Sequence, residues 1–599
     1  MDQRDSIVRL DLTNESVTSE PVPEGWLRAY VGGKGLGARY LYEEVSPGTD
    51  PLGDANALCF LVGPLTGYLP GEQRYVVVTK SPLTGTFLDS YAGGSMAARL
   101  AGSLGRHVGV LVTGRAERPV ALSIADGTVT IESADEWWGL DARETDDRVQ
   151  DASVACIGPA GENLVSYATI ASDGGEHHAG RGGAGAVMGA KRLKAVVAHD
   201  EPPTADDELR ALRRRDVAAF ADDETGRWHA ASETVETIDF ANEVGVLPTH
   251  GWQEGTFEGT DDIGIEAVRA AASDRERPNS PVPGGFRVES SVGDGDSDGT
   301  TESVPRGATP ISLGAGLGID EFDAVATLGS LCDRLGQDVI SSGNAVAWAI
   351  RASEEGHLDR DLSFGDDDAA RELIEEIAAR SSSLGDALAD GVEDAAAAYG
   401  GSALIPSIKG MALPSYDPRG ASAMALAYAT SDRGACHRRA RPVEAQALAG
   451  TEWSVGDRVD AVIAEQDRRA LRWSLVADDF VAEALSPDRI EEWLAAVGRN
   501  PIALDRIGAR IWTLVRLFNV REGFSRDDDT LPQRLTEPID GGPNDGAAID
   551  PASFEAMLDR YYERRGWDDR GRPTTATLER LGLDEFDEFD RSDQAGETR

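Results

Sequence analysis

Between Ser6 and about residue 200 the chain is written in short apolar runs separated by Gly and Asp-Gly turns. SIVRLDL (6–12), RYVVVTK (74–80), HVGVLVTG (107–114), VALSIADGTVTIES (120–133) and LKAVVAH (193–199) alternate in polarity or bunch β-branched residues, the pattern of strands. At about Ala205 the period changes. DDELRALRRRDVAAFADD (206–223) has helical periodicity and opens on acids that suit a helix N-terminus. In GIDEFDAVATLGSLCDRLG (318–336), Phe322, Val325, Leu328, Cys332 and Leu335 make one apolar stripe, with Asp320 the expected N-cap and Gly336 the expected stop. Asp333 falls in the last turn, where a carboxylate opposes the helix dipole, so it either has a partner or faces solvent. The chain is read as helical again through GASAMALAYATSDRGACHRRA (420–440), RVDAVIAEQDRRALRWSLVADDFVAEAL (458–485) and PDRIEEWLAAVG (487–498). Two stretches read as irregular: 273–310, rich in Pro, Gly, Ser and Asp, which is expected to be one long loop, and the acidic end LDEFDEFDRSDQAGETR (583–599), expected to be frayed or disordered.

Charge narrows the picture. The net charge is −47, which repels nucleic acid and anionic membranes and removes both as partners. Of 58 basic residues only five are lysines, namely Lys34, Lys80, Lys191, Lys194 and Lys409. An acidic pI does not require the loss of surface lysine; a solvation shell for a high-salt cytoplasm is the expectation. All five lysines sit in or beside glycine-rich or turn-rich strings, so each is expected to have a fixed internal partner. The opening MDQRDSIVRLDL lacks a signal pattern and no apolar run approaches the roughly 20 residues of a membrane span, so a cytoplasmic location is expected. Cys59, Cys156, Cys332 and Cys436 are far apart in sequence, form no metal knuckle and read as small buried hydrophobes.

Three strings carry candidate chemistry. VGGKGLGARY (31–40) has a loose dinucleotide-type spacing at Gly33, Gly35 and Ala38, but no strand precedes it, and close backbone packing is the simpler reading. In GPLTGYLPGEQRYVVVTKSPLTGTFLDSYAGGSMAA (63–98), Arg74 enters a β run, Lys80 leaves it and Gly93–Gly94 follow. AGRGGAGAVMGAKRLKAVV (179–197) sets Arg181 and Gly182 in a second glycine-rich turn. Glycine beside fixed cations is what a phosphate-bearing ligand needs, because amides approach closely and arginine supplies a fork. Two such loops either converge on one anionic ligand or are tight turns with structural arginines.

Taken in order with IGPAGENLVSYATIASDGG (157–175), IKGMALPSYDPRGASAMALAYATSDRGACHRRA (408–440) and RLFNVREGFSRDDDTLP (516–532), these strings resemble the aldehyde:ferredoxin oxidoreductase family of tungsten- or molybdenum-pterin enzymes. The resemblance implies an α+β fold, with an N-terminal domain of two β-sheets bearing the pterin site (1–203), two mostly helical domains (204–410 and 411–580) and an acidic tail (581–599). It implies a W or Mo bis-pterin with Mg as cofactor. It also implies that Arg74, Gly93, Arg181, Gly182, Asp333, Asp338 and Lys409 are cofactor-binding, with Asp333 and Asp338 in an Asp-x-x-Gly-Leu-Asp box that reads DRLGQD here.

The pattern breaks where the family holds its iron–sulfur cluster. The stretch expected to carry three cysteines reads NSPVPGGFR (279–287), where only Pro281 and the aliphatic Val282 survive. Asp478 stands near the fourth cysteine and Trp473 replaces the first carboxylate of the second pterin box. A [4Fe–4S] cluster needs thiolates, so it is expected to be absent, and ferredoxin is not the expected acceptor. Ser407 replaces the active-site histidine, Tyr91 replaces an asparagine that helps hold magnesium, and the expected upstream acid is Ala308 in an ungapped register or else Glu302. The residues name no catalytic group and no metal ligand. Three readings stay open: an aldehyde-to-carboxylate enzyme with an altered reaction, a pterin enzyme passing electrons to another acceptor, and a non-catalytic paralogue that regulates an intact homologue. A homo- or hetero-dimer is expected on the same resemblance.

Overall fold

The computed structural model describes residues 4–280, 283–291 and 300–586. Pro281, Val282 and the acidic end from residue 587 lie outside the described residues.

The first two hundred residues fold into two six-stranded sheets. The strands are β1 Ser6–Asp11, β2 Ser16–Pro21, β3 Leu58–Leu61, β4 Tyr75–Lys80, β5 Phe87–Ala92, β6 His107–Thr113, β7 Val120–Ala125, β8 Thr128–Ser133, β9 Ser153–Cys156, β10 Ile170–Ser172, β11 His177–Ala179 and β12 Leu193–Ala198. The first sheet runs β2-β1-β6-β3-β4-β5 and the second β11-β10-β9-β12-β7-β8. Only β1–β6 and β7–β12 pair in parallel; the other ladders are antiparallel. Val8, Leu10, Phe60, Val77 and Val110 of the first sheet share a core with Leu122, Ile124, Ile170 and Val196 of the second. The intervening residues Ile7, Val76 and Val78 belong to a second core that continues into the helices. β4 is therefore buried on both faces, which is why its run is continuously β-branched and not alternating. The β7–β8 hairpin turns at Asp126-Gly127, both at positive φ (49° and 73°), the chemistry of a tight hairpin.

Helices dominate the rest of the chain. Phe322–Leu335 ends at Gly336 with φ 72°, as expected, but Glu321 and not Asp320 occupies the cap position, and no side chain caps it. The predicted loop 273–310 is corrected: it contains a three-stranded antiparallel sheet of β13 Ala272–Arg275, β14 Phe286–Ser291 and β15 Thr300–Ser303. Phe286 and Val288 pack on Val235, Val268 and Ala326, a small apolar patch that the Pro/Gly-rich composition concealed. The helix expected over 420–440 covers only Ala423–Ala429, and an irregular segment rich in arginine follows. The start of the tail is packed too, because Phe586 stacks edge-on against Tyr42 at 4.7 Å and lies under Arg39. Among the described residues no helix is long and apolar enough to cross a membrane.

Every lysine has an internal partner. Lys80 pairs with Glu522 at 2.6 Å, Lys194 with Glu162 at 2.6 Å and Lys409 with Asp529 at 2.7 Å. Lys191 reaches only the carbonyls of Asp54 and Gly114, and burial pushes its amine down to about 8. Lys34 is the most demanding case. The helix Gly33–Glu44 is laid so close to the chain before it that a Cβ on Gly35 would stand 2.3 Å from the Tyr30 carbonyl. From that helix Lys34 reaches Asp89 of β5 at 2.9 Å and Asp432 at 2.6 Å. Arg439 binds the same two carboxylates, contacting Asp432 at 2.7 Å and Asp89. Two cations and two anions thus form a buried square joining the first sheet to residues 432–439. Burial alone would push the Asp89 carboxyl up, but Arg439, Lys34 and Arg433 outweigh it and hold it far below the carboxylate range.

Removing one partner from a buried pair strands the other charge, which typically costs about 3–5 kcal/mol. Lys34→Met is expected to lower unfolding stability by about that amount in urea titrations at molar KCl. A loss under about 1 kcal/mol, the size of a surface pair, would show that the square carries little.

Candidate functional site

One cavity of about 330 Å³ opens where the two sheets meet the helical part of the chain. β5 and β11 form its floor, through Ser90, Tyr91, His177 and the Gly180–Arg181 turn. Ser90 donates to the Gly180 carbonyl and ties the two sheets together there. Gly93 follows β5 against Glu72, whose carboxylate a Cβ at that position would meet at 2.5 Å. A second wall is the segment 433–441, and a third carries Glu233, Arg306 and Ala308.

The lining is cationic although the chain is strongly acidic. Arg74, Arg181, Arg306, Arg433, Arg438, Arg439, Arg441 and Arg469 face it, eight arginines against six carboxylates, Glu72, Glu176, Glu233, Asp333, Asp338 and Asp479. Arg181 adopts a left-handed φ of 60° and is fixed by the carbonyls of Ala435 (3.0 Å) and Ala412. Its Nε lies 3.7 Å from Asp338, too far for a hydrogen bond. The buried nitrogens Arg74 Nε, Arg181 Nε, Arg433 Nε and His437 Nδ1 have no hydrogen-bond partner. Unpaired buried donors are costly, and three guanidinium N–H groups around one cavity are what a ligand rich in acceptor oxygens would satisfy, while the neutral His437 ring can donate or accept at Nδ1.

The sequence candidates divide as follows. Arg74, Gly93, Arg181, Asp333 and Asp338 line this one cavity. Asp333 has the partner its place in the helix called for, His178 Nε2 at 3.2 Å. Asp338 caps the helix Val339–Glu354, accepting from Ser341 N at 2.8 Å. Gly182 and Lys409 do not line the cavity: the Gly182 carbonyl accepts from Ser81, and the Lys409 amine is taken up by Asp529 and the Ala429 carbonyl. Ala308 is in the lining, whereas Glu302 lies on β15, 3.6 Å from Arg287. Ser407 is outside and donates to Glu393. The segment RGACHRRAR, with four arginines in nine residues (433–441), was missed. Arginine density was its only available signal.

A chain of ion pairs runs from Asp478 along the cavity. Arg74 contacts Asp478 at 3.2 Å and Glu72 at 2.8 Å. His177 lies between Glu72 (Nδ1, 3.2 Å) and Glu276 (Nε2, 3.0 Å), and Arg306 joins Glu276 (2.9 Å) to Glu233 (3.3 Å). Burial opposes charge on His177, but the two carboxylates outweigh it and raise its affinity for a proton. Glu72 is likewise opposed by burial yet held down to about 2 by Arg74 and His177. Glu176, His177 and Glu276 come close enough to offer metal ligands, but Arg287 and Arg306 already pair those carboxylates.

The four thiols are free and buried on β3, on β9, on the helix Phe322–Leu335 and at residue 436, and among the described residues no group of three metal-ligating side chains includes one. That donor set does not fit an iron–sulfur cluster. Around Asp478 and Glu276 there is instead carboxylate, arginine and imidazole. The arginine-rich cavity does fit a polyanionic group such as a phosphate-bearing pterin. The Tyr91 hydroxyl donates to Asp89 at 2.7 Å and so points at the buried square.

Comparison with known proteins agrees with the architecture. Models described as aldehyde ferredoxin oxidoreductase, N-terminal domain, and aldehyde ferredoxin oxidoreductase, domains 2 and 3, match residues 7–200 and 212–583. The tungsten-containing aldehyde ferredoxin oxidoreductases of Pyrococcus furiosus and Thermococcus kodakarensis are each 35% identical, over 97% of this chain and 98% of theirs. An aliphatic sulfonate oxidoreductase, WOR-like subunit, of Pyrococcus furiosus is 28% identical over 97% of both chains. The active-site complex BamBC of benzoyl coenzyme A reductase shares the fold, with a TM-score of 0.80 at 22% identity over 99% of both chains.

The His177 network has a defined pH window. Its raised proton affinity stabilises the fold fully below the ordinary value of 6.5, and the gain is lost as pH rises through the higher folded value. The Glu72 contribution is present above 4.5 and is lost as pH falls towards about 2. In urea unfolding the stability gap between the native chain and His177→Asn is expected to be widest between these limits and to shrink at alkaline pH. A gap that does not change with pH would contradict a protonated His177.

Proposed function

Because the chain belongs to the aldehyde ferredoxin oxidoreductase family, we propose that it is a tungsten- or molybdenum-pterin oxidoreductase of that family that acts on aldehydes and has given up the cluster route to ferredoxin. The observation that carries this reading is the combination of a cavity lined by eight arginines with four thiols scattered over separate elements. The division into 1–203, 204–410 and 411–580 belongs to the same proposal.

Arg74, Arg181 and Arg433 would hold phosphate oxygens, for which each has an unpaired buried Nε. Asp333 and Asp338 would accept from pterin ring N–H groups. Lys409 is too committed to Asp529 to take part directly. A bound tungsten– or molybdenum–pterin would supply the two-electron oxidation of the aldehyde carbon. The chain's own group for a proton is His437: burial and the neighbouring arginines keep its ring neutral, and Nδ1 is unpaired in the cavity wall. His177 is not available for that task, being shared by two carboxylates. The acidic, lysine-poor composition supports a working medium at molar salt, where repulsion among its charges is screened.

A second reading is favoured by the position of Ser407, outside the cavity where the resemblance sets an active-site histidine. In it the chain is a non-catalytic subunit of an intact homologue.

The test is an aldehyde assay of the protein purified from its own host, in molar KCl. Reduction of a viologen dye with no reduction of ferredoxin is expected. Ferredoxin reduction at the dye-linked rate would overturn the loss of the cluster route. Absence of both, with a homologue co-purifying, would favour the subunit reading, and unfolding in dilute buffer is the expected mark of salt adaptation.

A further inference from the structure

Three of the four thiols are core residues. Cys59, Cys156 and Cys332 sit on strands or a helix with their sulfurs enclosed, and burial raises all three thiol pKa values. Cys436 differs in one physical respect: it lines the arginine cavity. Its Sγ accepts from Arg433 Nη2 at 3.1 Å. Arg433 also donates through Nη1 to the Asp89 carbonyl at 2.8 Å, and its charge helps hold the Asp89 carboxyl down; its Nε is unpaired, and it is 96% buried. Arg439 is spent on Asp89 and Asp432, and Arg181 is anchored one residue away on the Ala435 carbonyl. The phenol of Tyr428 donates to the Ser415 carbonyl, and burial keeps it protonated. One guanidinium with an unpaired Nε therefore faces one sulfur inside a cavity lined by eight arginines.

We propose that Cys436 is a nucleophilic thiolate site for small anionic electrophiles, oxo acids included. With an oxo acid the sulfur adds to the carbonyl carbon. One S–C bond forms, the C–O π pair moves onto oxygen, and that oxygen takes a proton from solvent, leaving a thiohemiacetal with no change in oxidation state. Arg433 supports the sulfur as an anion and the cavity arginines receive the carboxylate. The thiol is in keeping with this: burial opposes ionisation, but Arg433, Arg439 and Arg181 bring it down to about 7. The site stands without any cofactor.

Alkylation tests it on the full-length native chain, using material whose metal and pterin content has been measured and found empty. Peptide mass spectrometry follows iodoacetate and iodoacetamide at each cysteine. A free thiolate prefers the neutral reagent. In the native chain iodoacetate is expected to label Cys436 alone. Relative to iodoacetamide its rate is expected to exceed the urea-unfolded ratio by roughly tenfold or more, the scale of anion focusing in a charged cleft. The rate should level off above pH about 7, glyoxylate should slow it, and propionaldehyde at equal concentration should not. Arg433→Met should bring the reagent ratio back to that of the unfolded chain. No label at Cys436, equal labelling of the core thiols, or an unfolded-like ratio in the native chain would each overturn the proposal, and none of them bears on whether the loaded protein oxidises aldehydes.

Discussion

The buried square of Lys34, Arg439, Asp89 and Asp432 is what the rest of the molecule is built around. Lys34 comes from the helix Gly33–Glu44, Asp89 from the edge strand of the first sheet, and Asp432 and Arg439 from the far half of the chain. Four charges taken out of water are tolerable only if each finds its partner with hydrogen-bond geometry, so the square forces distant segments into one register. That register delivers Arg433, Cys436, His437 and Arg438 to the cavity, since they lie between the two anchor points Asp432 and Arg439. Trp473 closes the arrangement: Arg439 sits over its ring at 4.3 Å, Tyr91 packs beside it at 5.6 Å, and its indole N–H binds Asp479 at 2.8 Å.

The cavity reverses the sign of the protein around it. A surface this acidic would exclude a phosphate-bearing group, so binding one requires arginine concentrated inside and carboxylate kept outside or paired. The chain of pairs from Asp478 through His177 to Glu233 takes up Glu72 and Glu233, two of the six lining carboxylates, while Glu176 pairs with Arg287 and Asp333 with His178. Arg74 is shared between the two roles. Its Nη2 is tied to Glu72 and Asp478, while its Nε is left for a ligand. In the proposed reading, ion pairs occupy the place where the family resemblance sets cluster thiolates, and that part of the molecule binds charge without carrying electrons.

Much of this was legible in the sequence where a local rule governed it. The β-branched runs became strands, Asp126-Gly127 became a hairpin turn, Gly336 stopped its helix, and Asp333 found His178. Lysine retention pointed to buried partners because a costly residue survives only where something holds it, and all five lysines obey. Legibility failed where tertiary context decides. The sheet within 272–303 depends on a patch of Val235, Val268 and Ala326 that no window of its own sequence contains. The segment 433–441 reads as helical by composition, yet the square holds it in an irregular path. Lys409 matched a motif, but the motif could not reveal that Asp529, 120 residues on, claims its amine.

Metal content tests the central claim most directly. Protein purified from its own host, with tungsten, molybdenum, iron and pterin measured per chain, is predicted to hold one tungsten or molybdenum with pterin and no stoichiometric iron. Four irons and four sulfides per chain with a reduced-cluster paramagnetic signal would contradict the account, because the scattered thiols could not have assembled them.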